Sequence, residues 1–571
     1  MKLTSLLNES LVVSRLSRPL IYYLPRCKPK ILIVTDGGLG FSTSGFGLSR
    51  FVEAIATHSS VTLTPAVTLA HRGGHSSPVV IDGVSYTVAT SFNFATATPA
   101  VTRANYDQIW LLGIDPSGSI SNAEITVLAD FMNAGGGVFA TGDHAALGKT
   151  MSGNLPRIRH MREWQNVPMG LEALPTALDR IDTIVNPGAN NIYEFDDQSD
   201  NIPQRIYPNY AVTGPGFGDW TATIHPLLLM NGGSISKEDG DPAAFSNDID
   251  VLPDHPHESE CYEVSATANS AALNGTYNQA GLNFPEFPNA ASGGGKVGSE
   301  IVAFSVSGGR SVRNGNWKPP VRPRMFGAIS AFNGHLANPL SGQSARPGRI
   351  VCEATWHHYV NINLDGSGTG RTGLGTGSGA GFVPSADLLK IYKYYQNIVN
   401  WLQPSNRRYC WYILRLTLVR YHPLILEEIL EVPEIIKRGN FNVLGQVIMG
   451  LLDKAQGPGQ SRIMLLEALG DSKEGQLLVD FMTGKGSDLS GDQFDRIIGD
   501  AYGRMMADIV GALPALDDPK FEDFFKKGEL EKLEERLPKL ILESATKAAQ
   551  AQADRSNKQS RGLKSLMKSI G

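Results

Sequence analysis

The chain has 571 residues, 42% apolar and 19% charged, a balance that supports packed cores rather than a low-complexity chain. Its net charge of −5 gives no general attraction for nucleic acid. Cys27, Cys261, Cys352 and Cys410 lie too far apart for a cysteine zinc knuckle or a disulfide framework, which suits a reducing cytoplasm.

Residues 1–29 mix apolar residues with Arg15, Arg18 and Arg26, without a long hydrophobic run or a small-residue cleavage site. They read as an N-terminal extension, not a signal peptide. KILIVTDG (residues 30–37) reads as a buried strand ending in a glycine loop, and SRFVEAIATH after it has helical spacing. YDQIWLLGID is a second strand. SNAEITVLADFMNAGG is a helix that starts near Asn122 and stops at Gly135 and Gly136, and GVFATGDH is a third strand. This alternation predicts an α/β domain over residues 30–404, with a parallel sheet flanked by helices. Ligands of such sheets bind at the carboxyl ends of the strands, where TDGG and TGDH fall.

Beyond residue 404 glycine thins out, and segments such as NVLGQVIMGLLDKA and ELEKLEERLPKLILESATKAAQ carry apolar residues at helical spacing. Residues 405–550 read as an all-helical domain and residues 551–571 as a mobile, basic tail. YCWYILRLTLVRYHPLILEEIL is too interrupted by Arg415, Arg420 and Pro423 to span a membrane. Eleven of the twelve histidines precede the helical domain, His422 being the exception, so histidine chemistry belongs to the α/β part.

Three motifs concentrate that chemistry. GGGVFATGDHAALG places Asp143 and His144 after a strand; GRIVCEATWHHYVNINL ends a strand in Trp356, His357 and His358. Adjacent histidines at a strand end face opposite ways, so one of the pair reaches a shared site and the other packs. PDHPHESE adds Asp254, His255, His257 and Glu258, with carboxylates and imidazoles of the kind that ligate zinc, manganese or iron. Its spacing fits no standard signature such as HExxH. A metal site at His255 and His257, a metal-free acid–base cluster and a salt-bridged loop all remain open. Asp143, His144, Asp254, Glu258 and His358 are the candidate catalytic groups. Asp36, Gly37, Arg157, Arg159 and Trp356 are the candidate substrate contacts. The glycine-rich residues 365–382 lack the GK[ST] of a P-loop, so no nucleotide cofactor is expected.

In order, ILIVTDG, YDQIWLLG, GGGVFATGDHAA, IHPLLL, DHPHESECYEV and GRIVCEATWHH resemble the segments of the ThuA-like (trehalose utilisation) family of the class I glutamine-amidotransferase-like superfamily. The resemblance implies a flavodoxin-like core and a site formed by His144, His225, Glu260 (or Glu258) with Tyr262, and His357 or His358. It also implies a link to carbohydrate metabolism. The superfamily's nucleophile elbow here reads Gly142-Asp143-His144, without a cysteine, which argues against thiol glutaminase chemistry. The leading expectation is a cytoplasmic hydrolase-type enzyme for a sugar-like or other polar small molecule, with a divalent metal as candidate cofactor. The alternative is a ligand-sensing scaffold whose helical domain binds a protein partner or a second copy.

Overall fold

The computed structural model describes residues 28–56, 65–116, 119–143, 146–164, 201–209, 211–213, 221–230, 248–253, 259–291, 293–309, 312–313, 316–317, 321–405, 408–420, 441–456, 460–470, 472–483, 489–514, 518, 524 and 529–570. Nine strands form its central sheet: β1 (Lys30–Thr35), β2 (Ala66–His71), β3 (Val88–Ala89), β4 (Gln108–Leu112), β5 (Gly137–Thr141), β6 (Tyr207–Pro208), β7 (Ser299–Gly309), β8 (Val321–Phe332) and β9 (Ile350–Glu353). Their order is β3-β2-β1-β4-β5-β9-β8-β7-β6. Pairing is parallel from β3 to β9 and antiparallel from β9 onward. The segment β2-β1-β4-β5-β9 reproduces the 2-1-3-4-5 order of a flavodoxin-like sheet, and its switch point lies between β1 and β4.

Side-chain alternation along β1 shows why the sheet is covered on both faces. Ile31 and Ile33 belong to one buried cluster, with Phe51 and Ile55 of α1 (Ser49–Ala56) and Ile391, Tyr395 and Ile398 of α3 (Ala386–Trp401). Leu32 and Val34 belong to the other, with Ile125, Leu128 and Met132 of α2 (Asn122–Asn133). Helix α2 begins where the sequence predicts, because Ser121 and Glu124 form a capping box. Glu124 also accepts from the Arg72 guanidinium at 2.6 Å and from the Phe94 amide at 3.2 Å, tying the end of β2 to the helix.

Helices α4 (Arg408–Arg420), α5 (Phe441–Gln456), α6 (Gln460–Leu469), α7 (Lys473–Thr483), α8 (Gly491–Ala512) and α9 (Glu529–Ile570) follow. They share a separate core running from Tyr409 to Ala548. On α4 the buried apolar residues include Tyr409, Tyr412, Ile413, Leu416 and Val419, the spacing of one helical face. Among the described residues no helix is long and apolar enough to cross a membrane. Arg349, at the amino end of β9, reaches Glu467 of α6, and Arg346 reaches the Gly470 carbonyl, so two arginines connect the sheet to the helices.

Two expectations are corrected. Residues 551–570 continue α9 as helix, so the helical part runs past residue 550; no glycine or proline interrupts it between Ala551 and Arg561, and the single Gly562 does not end it. Cys410 is disulfide-bonded, whereas Cys261 and Cys352 are free and buried. Distance along the chain is a poor guide to distance between thiols.

Candidate functional site

Strands β5 and β9 are neighbours, with Glu353 in register with Thr141. Just past this pair the Trp356 amide donates to the Gly142 carbonyl at 2.8 Å. The chain then makes a single 3-10 turn, Trp356–Tyr359, capped by Thr355, whose hydroxyl accepts from the His357 amide at 3.1 Å. This brings His357 Nε2 to 3.5 Å from Asp143 Oδ2. Asp143 is fully buried and His357 nearly so. The separation is too long for a direct hydrogen bond but places a carboxylate where it favours the imidazolium form.

An aromatic wall lies against this pair. The Trp356 ring stacks on His357 with centroids 3.7 Å apart, and Phe46 approaches the two rings at 6.0 and 6.1 Å. Phe46 is 45% exposed while Trp356 is buried, so Phe46 offers the open surface. Its loop is held by Asn361, whose side-chain amide donates to the carbonyls of Ser42 and Ser44 at 3.1 and 2.8 Å. The Ile362 amide completes the contact, donating to the Gly45 carbonyl at 2.8 Å.

His358 points the other way and has a different task. It is fully buried; its Nδ1 donates to Glu353 Oε2 at 2.7 Å, and its Nε2 lies 3.0 Å from the Gln204 side-chain amide. The other Glu353 oxygen accepts from the hydroxyls of Tyr359 and Tyr394, and Tyr395 donates to the His358 carbonyl. Burial first, and then the Glu353 charge, hold the Tyr359 and Tyr394 phenols well above their ordinary pKa, so both remain donors. The expectation that His358 is catalytic is therefore corrected. Within the adjacent pair, His357 takes the place beside Asp143.

Arg157 is corrected as well. Arg157 is fully buried, donating to the Asn133 side chain at 2.7 Å and to the Glu286 carbonyl at 3.2 Å. Arg159 forms a two-pronged pair with the buried Glu286 carboxylate, its shortest contact being 2.6 Å. Burial alone would raise the pKa of Glu286, but His160 and Arg159 bring it down to about 2. Arg157 thus serves a buried cluster rather than a solvent-borne substrate, whereas Arg159, paired with the same Glu286 carboxylate, keeps 20% of its side chain exposed and lines a cleft. Asp36 is buried too: its carboxylate accepts from the amides of Ile114 and Asp115 at 2.6 and 3.1 Å, and burial raises its pKa despite those bonds. Gly37 remains exposed beside it in a left-handed turn (φ 58°).

His225 belongs to the far end of the sheet. Its ring lies 4.9 Å from Trp401, whose carbonyl accepts from Arg349 at the amino end of β9. Glu260 and Tyr262 instead line a cleft of about 710 Å3, together with Arg159, His160, Glu163 and Trp164. His144, Asp254, His255, His257 and Glu258 lie outside the described residues. Among the described residues no three His, Cys, Asp or Glu side chains gather as a metal site.

Sequence reasoning missed Glu353 and Phe46. The signal for the first was a glutamate closing an apolar strand in RIVCEATWHH. No local pattern marks the second. The chain matches no family model, no curated protein and no solved structure.

Proposed function

We propose that the chain is a hydrolase-type enzyme acting on a sugar-like or other polar small molecule at the carboxyl ends of β5 and β9. The observation that carries this reading is the Asp143–His357 pair, which sits at that edge beside the exposed ring of Phe46. In flavodoxin-like sheets this edge is where ligands bind. The resemblance of the motifs to the ThuA-like family points to the same class of substrate, although fold alone does not fix function.

In this reading Asp143 orients the His357 imidazole and stabilises its protonated form. His357 takes a proton from the attacking water and returns it to the leaving group. Apo separations of this kind commonly tighten when substrate binds. Phe46 supports the apolar face of the ligand, and the Gly37 amide faces one of its oxygens. A divalent metal remains the candidate cofactor through His255 and His257.

The test is turnover of chromogenic glycosides and carboxyl esters by the purified chain, alone and with added Zn2+, Mn2+ or Fe2+. Hydrolysis of one class should fall by about 100-fold or more in His357→Asn, the usual weight of a general acid–base group. Wild-type protein that turns over none of these under any condition would count against the reading. One observation favours the scaffold alternative: Leu477 and Phe481, one turn apart on α7, are 65% and 52% exposed, an apolar pair suited to a protein partner.

A further inference from the structure

The parallel ladder between β5 and β9 ends at the Thr141–Glu353 pair, yet the two groups of the candidate site both lie beyond it. Past that point the Trp356 amide makes one backbone link to β5, and the carbonyls of Asp143, Glu353 and Ala354 need other donors. All three are met by one side chain. Arg162 donates from Nε to the Glu353 carbonyl at 3.0 Å, and from Nη2 to the carbonyls of Ala354 and Asp143 at 2.9 and 3.2 Å.

We propose that Arg162 is a positioning residue of the candidate site: its buried guanidinium staples the carboxyl end of β5 to that of β9 and so sets the separation of Asp143 from His357. The inference rests on the reading of Asp143 and His357 as a working pair. Three further observations support it. The guanidinium comes from a third, independently anchored element, since Arg162 bridges to Cys261 and Cys261 bridges to Gly327 of β8. The Trp164 ring covers it at 4.3 Å, and Arg162 is 1% exposed, so water does not compete for its donors. Residue 142 must also be small, because a Cβ there would lie 2.4 Å from Arg162 Nη1.

A planar fork reaches carbonyls on two strands at once, whereas a lysine ammonium is a single point donor on a shorter reach. Arg162→Lys keeps a basic group in place and removes the staple; should burial strip its proton, the lost charge would raise the His357 midpoint, opposite to the shift expected from a loosened pair. The experiment follows the imidazole resonances of protein with 13C-labelled histidine through a pH titration, assigning His357 from the peak lost in His357→Asn. In Arg162→Lys the His357 midpoint should move from the wild-type value toward that of Asp143→Asn, by at least half of that difference. Gly142→Ala, whose Cβ would press on the guanidinium at 2.4 Å and also on the Leu147 carbonyl at 2.6 Å, should loosen the same seam and move it the same way. A folded Arg162→Lys protein with a wild-type His357 midpoint overturns the proposal. If that variant does not fold, an unmoved midpoint in Gly142→Ala does so instead. Because the readout needs no substrate, failure to find hydrolysis would remove the enzymatic reading while leaving this result interpretable.

Discussion

Two adjacent histidines divide the labour at the end of β9. His357 faces Asp143, and His358 completes a sealed cluster around the Glu353 carboxylate. Substitutions should therefore separate cleanly. His357→Asn should lower turnover by about 100-fold or more and leave the thermal midpoint within a few degrees of wild type. His358→Asn should cost about 3 kcal/mol, because it takes a hydrogen-bond partner from the fully buried Glu353 carboxylate. Urea denaturation of the two variants checks this; equal losses of stability would contradict the division. The sequence makes it clear that one histidine of the pair would pack and the other would serve, since neighbours at a strand end face opposite ways. Which one does so depends on the 3-10 turn and on Glu353, and neither leaves a periodic trace. Arg157 misleads for a related reason: an arginine after a strand looks the same whether its partner is a ligand or Glu286, more than 120 residues away.

At the scale of elements, the strands and helices with uninterrupted patterns are the legible ones. KILIVT, QIWLL and GVFAT are continuous apolar runs, as strands buried on both faces must be. The start of α2 is written in Ser121 and Glu124. The long antiparallel pair β7–β8 is not legible in the same way, because serine, glycine and arginine interrupt its alternation and its ladder contains register shifts. Glu124 shows how much one residue can hold: it accepts from the Ser121 amide at 2.9 Å as well as from Arg72 and Phe94. Glu124→Ala should cost about 2 kcal/mol by leaving these donors without their acceptor. Denaturant unfolding measures it, and a loss below about 0.5 kcal/mol would mean that the capping box and the Arg72 tie do not act together.

Over the whole molecule, the sheet carries its candidate chemistry at one end and its connection to the helices at the other. His225 marks that second end. Burial, and secondarily the Arg349 charge, lowers its pKa to about 3, and its Nδ1 accepts from the Leu227 amide at 3.2 Å. An unfolded chain would protonate this histidine near its ordinary value of about 6.5. As pH falls the unfolded state takes the proton first, so the stability held above that value is lost between about pH 6.5 and pH 3. The slope is at most about 1.4 kcal/mol per pH unit, and a tenth of the side chain remains exposed, which reduces it. Thermal melts from pH 7.5 to pH 4 should show wild type losing more stability than His225→Asn, which keeps a capping acceptor; parallel curves would contradict this. The parallel part of the sheet and the helical region could be anticipated from composition and periodicity, and the flavodoxin-like core only from the family resemblance. The opposition of the two ends could not, because it depends on which loops return to which edge. The central claim is that Asp143 and His357 act as a pair at the carboxyl edge. Its most direct test is the titration midpoint of the His357 imidazole, measured by NMR in wild type and in Asp143→Asn. With the carboxylate 3.5 Å away, its loss should lower the midpoint, by about one pH unit. An unchanged midpoint would mean that the two groups do not interact and that the site proposed here is not one.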